Sequence, residues 1–315
     1  MVNLQTQFKK FHNTIKVDFD DNQPLRDKRN LIIDNLKDGL EKQFFRNKAP
    51  TFNSFNQGSY GLATGVEPLP KEDYDIDVGI IFNLSKNLYQ PVEVKKWVYT
   101  ALNTGARTVE IKKPCVRVQY HLNNEKSFHV DLAIYSLGKK DDGGNKTTHI
   151  AKGLIKSPED EKIWELSEPY KLKELLESEF ADSLDREQFR RIIRYLKRWK
   201  DYNFCSTGTE RPTGIAITAC CYEVFTPEKD NDLRSLLNVV SGIIGMFSGN
   251  NQISVKLPVQ PYNDLFKKMT NIQMTSMKTK LINLQNTLTA ASQEPYTFNA
   301  CASLRKVFGS DFPGL

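Results

Sequence analysis

The chain is poor in the residues that build metal-clipped or disulfide-stapled folds. Its five cysteines, Cys115, Cys205, Cys220, Cys221 and Cys301, show no C-x-x-C spacing. Its four histidines, His12, His121, His129 and His149, form no pair at metal-ligand spacing. A Cys/His metal site is therefore not expected, and the thiols read as buried and reduced. Long apolar runs are also missing. The start, "MVNLQTQFKKFHNTIKV", has no apolar core of signal-peptide type, and the most apolar stretches, 214–225 and 236–247, are too short to span a bilayer. The expectation is a cytoplasmic protein with no membrane partner. Low-complexity tracts, blocks of like charge and solenoid-length repeats are missing too, which argues against disorder.

What is present is an ordinary soluble composition, 39% hydrophobic and 26% charged, over 315 residues, enough for one large domain or two packed lobes. The net charge of +6 implies an anionic ligand only where positive charges cluster. They cluster in "REQFRRIIRYLKRWK", residues 186–200. There Phe189, Ile192, Ile193, Leu196 and Trp199 follow the spacing of a buried helical stripe, and Arg190, Arg194 and Lys197 share another face.

The first fifty residues read as helices, with Leu25, Leu31, Ile32, Ile33, Leu36 and Leu40 on an imperfect apolar face. Alternation then takes over in "DYDIDVGIIF", "CVRVQYHL" and "SFHVDLAIY", and Asn123 and Asn124 suggest a hairpin turn between the last two. After a polar loop, "GKKDDGGNKTTH", the helical period is expected to persist to the end, with Pro258 and Pro261 preceding a late helix from about Asp264. The predicted organisation is an α+β protein. Residues 1–150 hold N-terminal helices and a mixed-sheet core, residues 151–315 a helical lobe, with a cleft between.

One segment raises a chemical question, because Asp75 and Asp77 interrupt what otherwise reads as a buried strand. Residues two apart on a strand share a face, so these carboxylates lie about 7 Å apart while Ile76, Val78 and Ile80 point to the core. The same alternation turns Phe128, Val130, Leu132 and Ile134 inward and leaves Asp131 on the face of His129 and Tyr135. If the two strands are neighbours, three carboxylates converge. Such a cluster repels itself unless cations neutralise it, and a pair of Mg²⁺ ions serves phosphoryl transfer in this way, with Mn²⁺ able to substitute. Gly58 and Ser59 offer a close backbone approach and a hydroxyl to phosphate oxygens. His129 reads as a polar residue filling space beside the site.

A lone Gly-Ser or D-x-D says little, since a D-x-D also suits a half-exposed sheet edge. In order, however, Gly58-Ser59, Thr64, Asp75-x-Asp77 and Asp131 resemble the nucleotidyltransferase superfamily of DNA polymerase β and the poly(A) polymerases. More narrowly, "QGSYGLATGVEPLPKEDYDIDVGIIF", "FHVDLAIY", "RYLKRWK", "RPTGIAITA" and "LPVQPYNDLF" resemble the cGAS/DncV-like nucleotidyltransferases, or CD-NTases, of bacterial anti-phage signalling. The resemblance runs from about Gln57 to "LRKVFGSDFP". It implies a polymerase β-like core on a helical lobe, nucleoside triphosphate substrates, and synthesis of cyclic or linear oligonucleotide second messengers. It also implies that Asp75, Asp77 and Asp131 bind two metal ions and that Gly58 and Ser59 hold phosphates. Lys197 resembles a triphosphate-binding helix lysine, and Thr213 stands where a serine is usual. Lys197 as a solvated helix residue and Thr213 as a helix N-cap remain alternative readings.

The leading functional expectation is a cyclic oligonucleotide synthase, with a regulatory or effector protein as a possible partner and no required nucleic acid. Two alternatives use the same fold. One is a template-independent transferase acting on an RNA end or a protein hydroxyl. The other is a non-catalytic nucleotide or RNA sensor.

Overall fold

The computed structural model describes residues 3–18, 22–45, 47–70, 72–105, 107–120, 128–140, 146–180, 182–205 and 211–314. The Asn123–Asn124 turn lies outside them. The chain opens with α1 (Gln5–Ile15), β1 (Lys16–Val17), α2 (Gln23–Gln43), β2 (Phe52–Asn56), α3 (Gly58–Gly61) and β3 (Gly65–Val66). It continues through β4 (Tyr74–Phe82), α4 (Pro91–Leu102), β5 (Thr108–Ile111), β6 (Val116–Tyr120), β7 (Phe128–Lys140), β8 (Lys146–Ala151) and β9 (Trp164–Leu166). Helices complete it: α5 (Pro169–Ser178), α6 (Ser183–Asn203), α7 (Gly214–Val224), α8 (Asp232–Gly245), α9 (Asn271–Gln293) and α10 (Thr297–Phe308).

The main sheet runs β2-β4-β7-β6-β5, with β8 added to the far half of β7 and β9 to β8. Among the described residues only β4 and β7 pair in parallel; β6 and β7 form the expected antiparallel pair. Ile76, Val78 and Ile80 of β4 and Val130, Leu132 and Ile134 of β7 have no exposure, and they pack with α2 and α4 on one face. Alternation predicts this division, because successive side chains leave opposite faces. On α2, Leu25, Ile32, Leu36 and Leu40 make the buried stripe, whereas Leu31 points outward at 51% exposure.

A second core joins α6 to the later helices, and Leu4, Phe8, Phe11 and Ile15 at the N-terminus belong to it. Asp182 starts α6 by accepting the Leu184 amide at 2.7 Å, and the stripe Phe189, Ile192, Ile193, Leu196 and Trp199 is buried as the spacing predicts. The fold is the expected α+β arrangement of a mixed-sheet core on a helical lobe.

Three local expectations are corrected. The polar stretch after Gly138 is not wholly loop, since β7 reaches Lys140 and β8 begins at Lys146, and β9 carries the sheet to Leu166. These strands are short or polar, so their period is hidden beside the glycines. The late helix starts at Asn271 instead of near Asp264, because Thr270 and Gln273 form a capping box there. Cys205 is exposed, while the other four cysteines are buried.

Candidate active site

Strand register brings six side chains of the free face into two rows. Asp75, His129 and Gln119 stand opposite one another across β4, β7 and β6, and the next row is Asp77, Asp131 and Arg117. The three carboxylates predicted from D-x-D and from Asp131 therefore meet. His129 Nε2 lies 2.9 Å from Asp75 Oδ1. Arg117 donates from Nε to Asp131 Oδ1 at 2.7 Å and from Nη2 to Oδ2 at 2.6 Å. This hydrogen bonding raises the guanidinium pKa further above its ordinary value. Asp77 lies between the other two carboxylates. Burial first, then the charges of Asp75 and Asp131, hold its carboxyl well above the usual carboxylate range.

Gly58 explains how the Gly58-Ser59 turn reaches this row. Its φ is +58°, and a Cβ there would lie 1.9 Å from Asp77 Oδ2, so a side chain is excluded by both conformation and space. The Gln57 amide donates to the Asp77 carbonyl at 3.0 Å, fixing the turn to β4. Ser59 follows in α3, and its carbonyl accepts the Thr64 amide at 2.8 Å.

Lys197 comes to the same turn from the helical lobe. It is 7% exposed, and its Nζ donates to Thr64 Oγ1 at 2.9 Å and to the Thr64 carbonyl at 3.1 Å. Burial, with Lys200 and Arg194 nearby, pushes its pKa down to about 7. It is not a solvated helix residue. Thr213 caps α7 by accepting the Ala216 amide at 3.3 Å, and a Cβ on the next residue, Gly214, would touch Lys197 Cε at 3.5 Å. The described structure thus gathers the aspartates and Gly58, with Lys197 bonded to the turn and Thr213 one residue from Lys197's neighbour.

The donor set suits a hard divalent cation. Asp75, His129 and Asp131 each offer one ligand atom, all within 4.8 Å of one another, and Asp77 adds a carboxylate whose ionisation a cation would favour. Arg117 and the ligand potential of His129 escape motif reading. Their only signal is the alternation of "CVRVQYHL" and "FHVDLAIY", which sets both on the face of Asp131.

Fold and site together define a nucleotidyltransferase architecture. Residues 51–135 match the family described as Cyclic GMP-AMP synthase DncV-like, nucleotidyltransferase domain. A cyclic GMP-AMP synthase of Escherichia albertii is 25% identical over 199 residues, covering 60% of this chain and 40% of that protein. A c-di-GMP synthase of Roseivirga ehrenbergii is 25% identical over 225 residues, covering 66% and 56%. The chain therefore aligns with only about half the length of these curated relatives. The crystal structure of Vibrio cholerae DncV cyclic AMP-GMP synthase superposes with a TM-score of 0.78 at 16% identity, covering 99% of this chain and 98% of that one. Residues 51–135 are thus similar to a DncV-like nucleotidyltransferase domain, and the whole chain shares the fold of DncV.

Proposed function

We propose that this protein joins nucleoside triphosphates into cyclic or short linear oligonucleotides that act as second messengers in anti-phage signalling. The observation that carries this reading is the register of β4 on β7, which sets Asp77 directly beside Asp131 and Asp75 beside His129, with Gly58 against Asp77. Relatives named as cyclic dinucleotide synthases support the product class.

In this reading Asp75, Asp77 and Asp131 hold two Mg²⁺ ions, which Mn²⁺ can replace. When bound, these ions neutralise the carboxylates, lower the pKa of an attacking ribose hydroxyl and stabilise the departing pyrophosphate. Gly58 lets the backbone approach the triphosphate, Ser59 donates its hydroxyl, and Lys197 and Thr213 close the same turn from the helical lobe. Asp131, beside Asp77 in the register, completes the metal site and would help activate the ribose hydroxyl by accepting its proton. Among the described residues no helix is long and apolar enough to cross a membrane.

The test is incubation with all four nucleoside triphosphates and Mg²⁺ or Mn²⁺, followed by mass spectrometry of phosphatase-resistant products. Cyclic or linear oligonucleotides from triphosphates alone are expected. Pyrophosphate release only when an RNA end or a protein hydroxyl is supplied would move the assignment to a macromolecular acceptor. Triphosphate binding with no pyrophosphate release would make the protein a sensor.

A further inference from the structure

Arg117 grips the Asp131 carboxylate with both arms of its fork. Antiparallel register sets it directly across from Asp131 and covers both carboxylate oxygens at 2.7 and 2.6 Å. Asp131's side chain is 13% exposed and Arg117's 32%, so the carboxylate is enclosed while the guanidinium retains a solvent side. The groups around the pair are Asp77 from β4, His129 from β7 and the buried Cys115 thiol just before β6. None of these is a second cation of comparable strength.

We propose that Arg117 is a placeholder cation, a positioning residue that occupies the third carboxylate until a divalent ion takes it. The inference rests on the metal-dependent reading above. A cation that binds Asp131 shares its oxygens with two charge-assisted N–H···O bonds and repels the guanidinium that makes them, so metal uptake here competes with Arg117 and is not a simple addition. The competition has two consequences. The folded site never carries three uncompensated carboxylates in one place, and its affinity for a divalent ion is held down until a nucleotide adds its own phosphate ligands. The displaced guanidinium turns toward its open side, where phosphate oxygens are the chemically matched acceptor.

The experiment measures Mn²⁺ binding to the full chain without nucleotide, by the loss of the free Mn²⁺ electron paramagnetic resonance signal, in the wild type, Arg117→Met and Arg117→Lys. Far-ultraviolet circular dichroism checks folding. Arg117→Met should bind Mn²⁺ roughly tenfold to a hundredfold more tightly, the worth of a charge-assisted hydrogen bond. Arg117→Lys keeps the charge and loses the fork, so its affinity should rise about threefold, an intermediate value. Unchanged or weaker Mn²⁺ binding in Arg117→Met overturns the proposal, since a merely structural arginine gives that result. If Arg117→Met does not fold, Arg117→Lys carries the test, and an affinity equal to the wild type overturns it. A wild type that takes up no Mn²⁺ with or without a triphosphate sinks the metal-dependent reading as well, which separates the two failures.

Discussion

Buried charge is handled in opposite ways at the sheet face and on α6. Along the middle of α6, Arg191 donates to the two oxygens of Asp232 at 2.7 and 2.9 Å, Gln188 and Tyr195 each add a hydrogen bond at 2.9 Å, and Asp232 has no exposure. Burial alone would raise this carboxyl, but Arg191, Gln188 and Tyr195 outweigh it and hold it below the usual range. On β4, Asp77 experiences burial and two like charges, and its carboxyl goes the other way. The contrast separates structure from chemistry. A buried carboxylate that has its partners built in ties helices together, whereas one left dependent on an external cation marks a place for that cation.

The largest effect is expected where that dependence is broken. Asp77→Ala or Asp75→Ala should lower the rate of product formation by on the order of a thousandfold, since metal stabilisation of the transition state amounts to several kcal/mol. The measurement is product formation by mass spectrometry, with unchanged circular dichroism. Asp77→Asn sharpens the point. A carboxyl with a raised folded pKa contributes stability that is present at low pH and lost as pH rises through that value. The amide removes the cost of ionisation, so the variant should melt at a higher temperature than the metal-free wild type at neutral pH, and added Mg²⁺ should stabilise the wild type more than the variant. A lower melting temperature would show that Asp77 is compensated internally.

The same truncation on the helical side should act on stability instead. Asp232→Ala leaves Arg191 buried without its partner and should cost about 3–5 kcal/mol in urea denaturation. A loss under about 1 kcal/mol would place Asp232 with ordinary surface pairs.

Sequence patterning made one of these regions far more legible than the other. Period-two alternation located Asp75, Asp77 and Asp131 on one face, because a strand fixes side-chain direction by parity alone. Ile76, Val78 and Val130 took the opposite face for the same reason. The parallel neighbouring of β4 and β7 was not in the alternation, since pairing is a long-range property. For that reason the Arg117–Asp131 and His129–Asp75 contacts emerged only with the register. On α6 the stripe Phe189, Ile192, Ile193, Leu196 and Trp199 was equally plain, but the partners of the cations were not. Arg194 and Lys197 are buried and donate to the Gly65 and Thr64 carbonyls. Those partners lie about 130 residues away in the chain, beyond any local pattern.

Lys197 joins the two regions, and its titration tests how the junction is held. Its pKa is about 7 in the fold against an ordinary 10.5. Between those values the unfolded chain keeps the proton that the folded chain has lost, so stability rises with pH across the window and falls as pH drops toward 7. Stability measured against Lys197→Met should therefore increase by a few kcal/mol from pH 7 to pH 10. A flat difference between the two proteins would mean that the Thr64 contacts keep the ammonium charged throughout.

The smallest effect is expected at Thr213, which caps the start of α7 beside Lys197. The hydroxyl accepts the Ala216 amide, so Thr213→Ala should cost about 1 kcal/mol and Thr213→Ser almost nothing, as N-cap exchanges do. Capping and phosphate contact make different demands on that oxygen, since a hydroxyl accepting the helix amide still has its proton to donate. Triphosphate affinity separates them. A fall of no more than about threefold in folded Thr213→Ala is the expected result and leaves capping as the main role. A loss of tenfold or more, restored by Thr213→Ser, would make the donated proton a phosphate contact and extend the site from the sheet face across to α7.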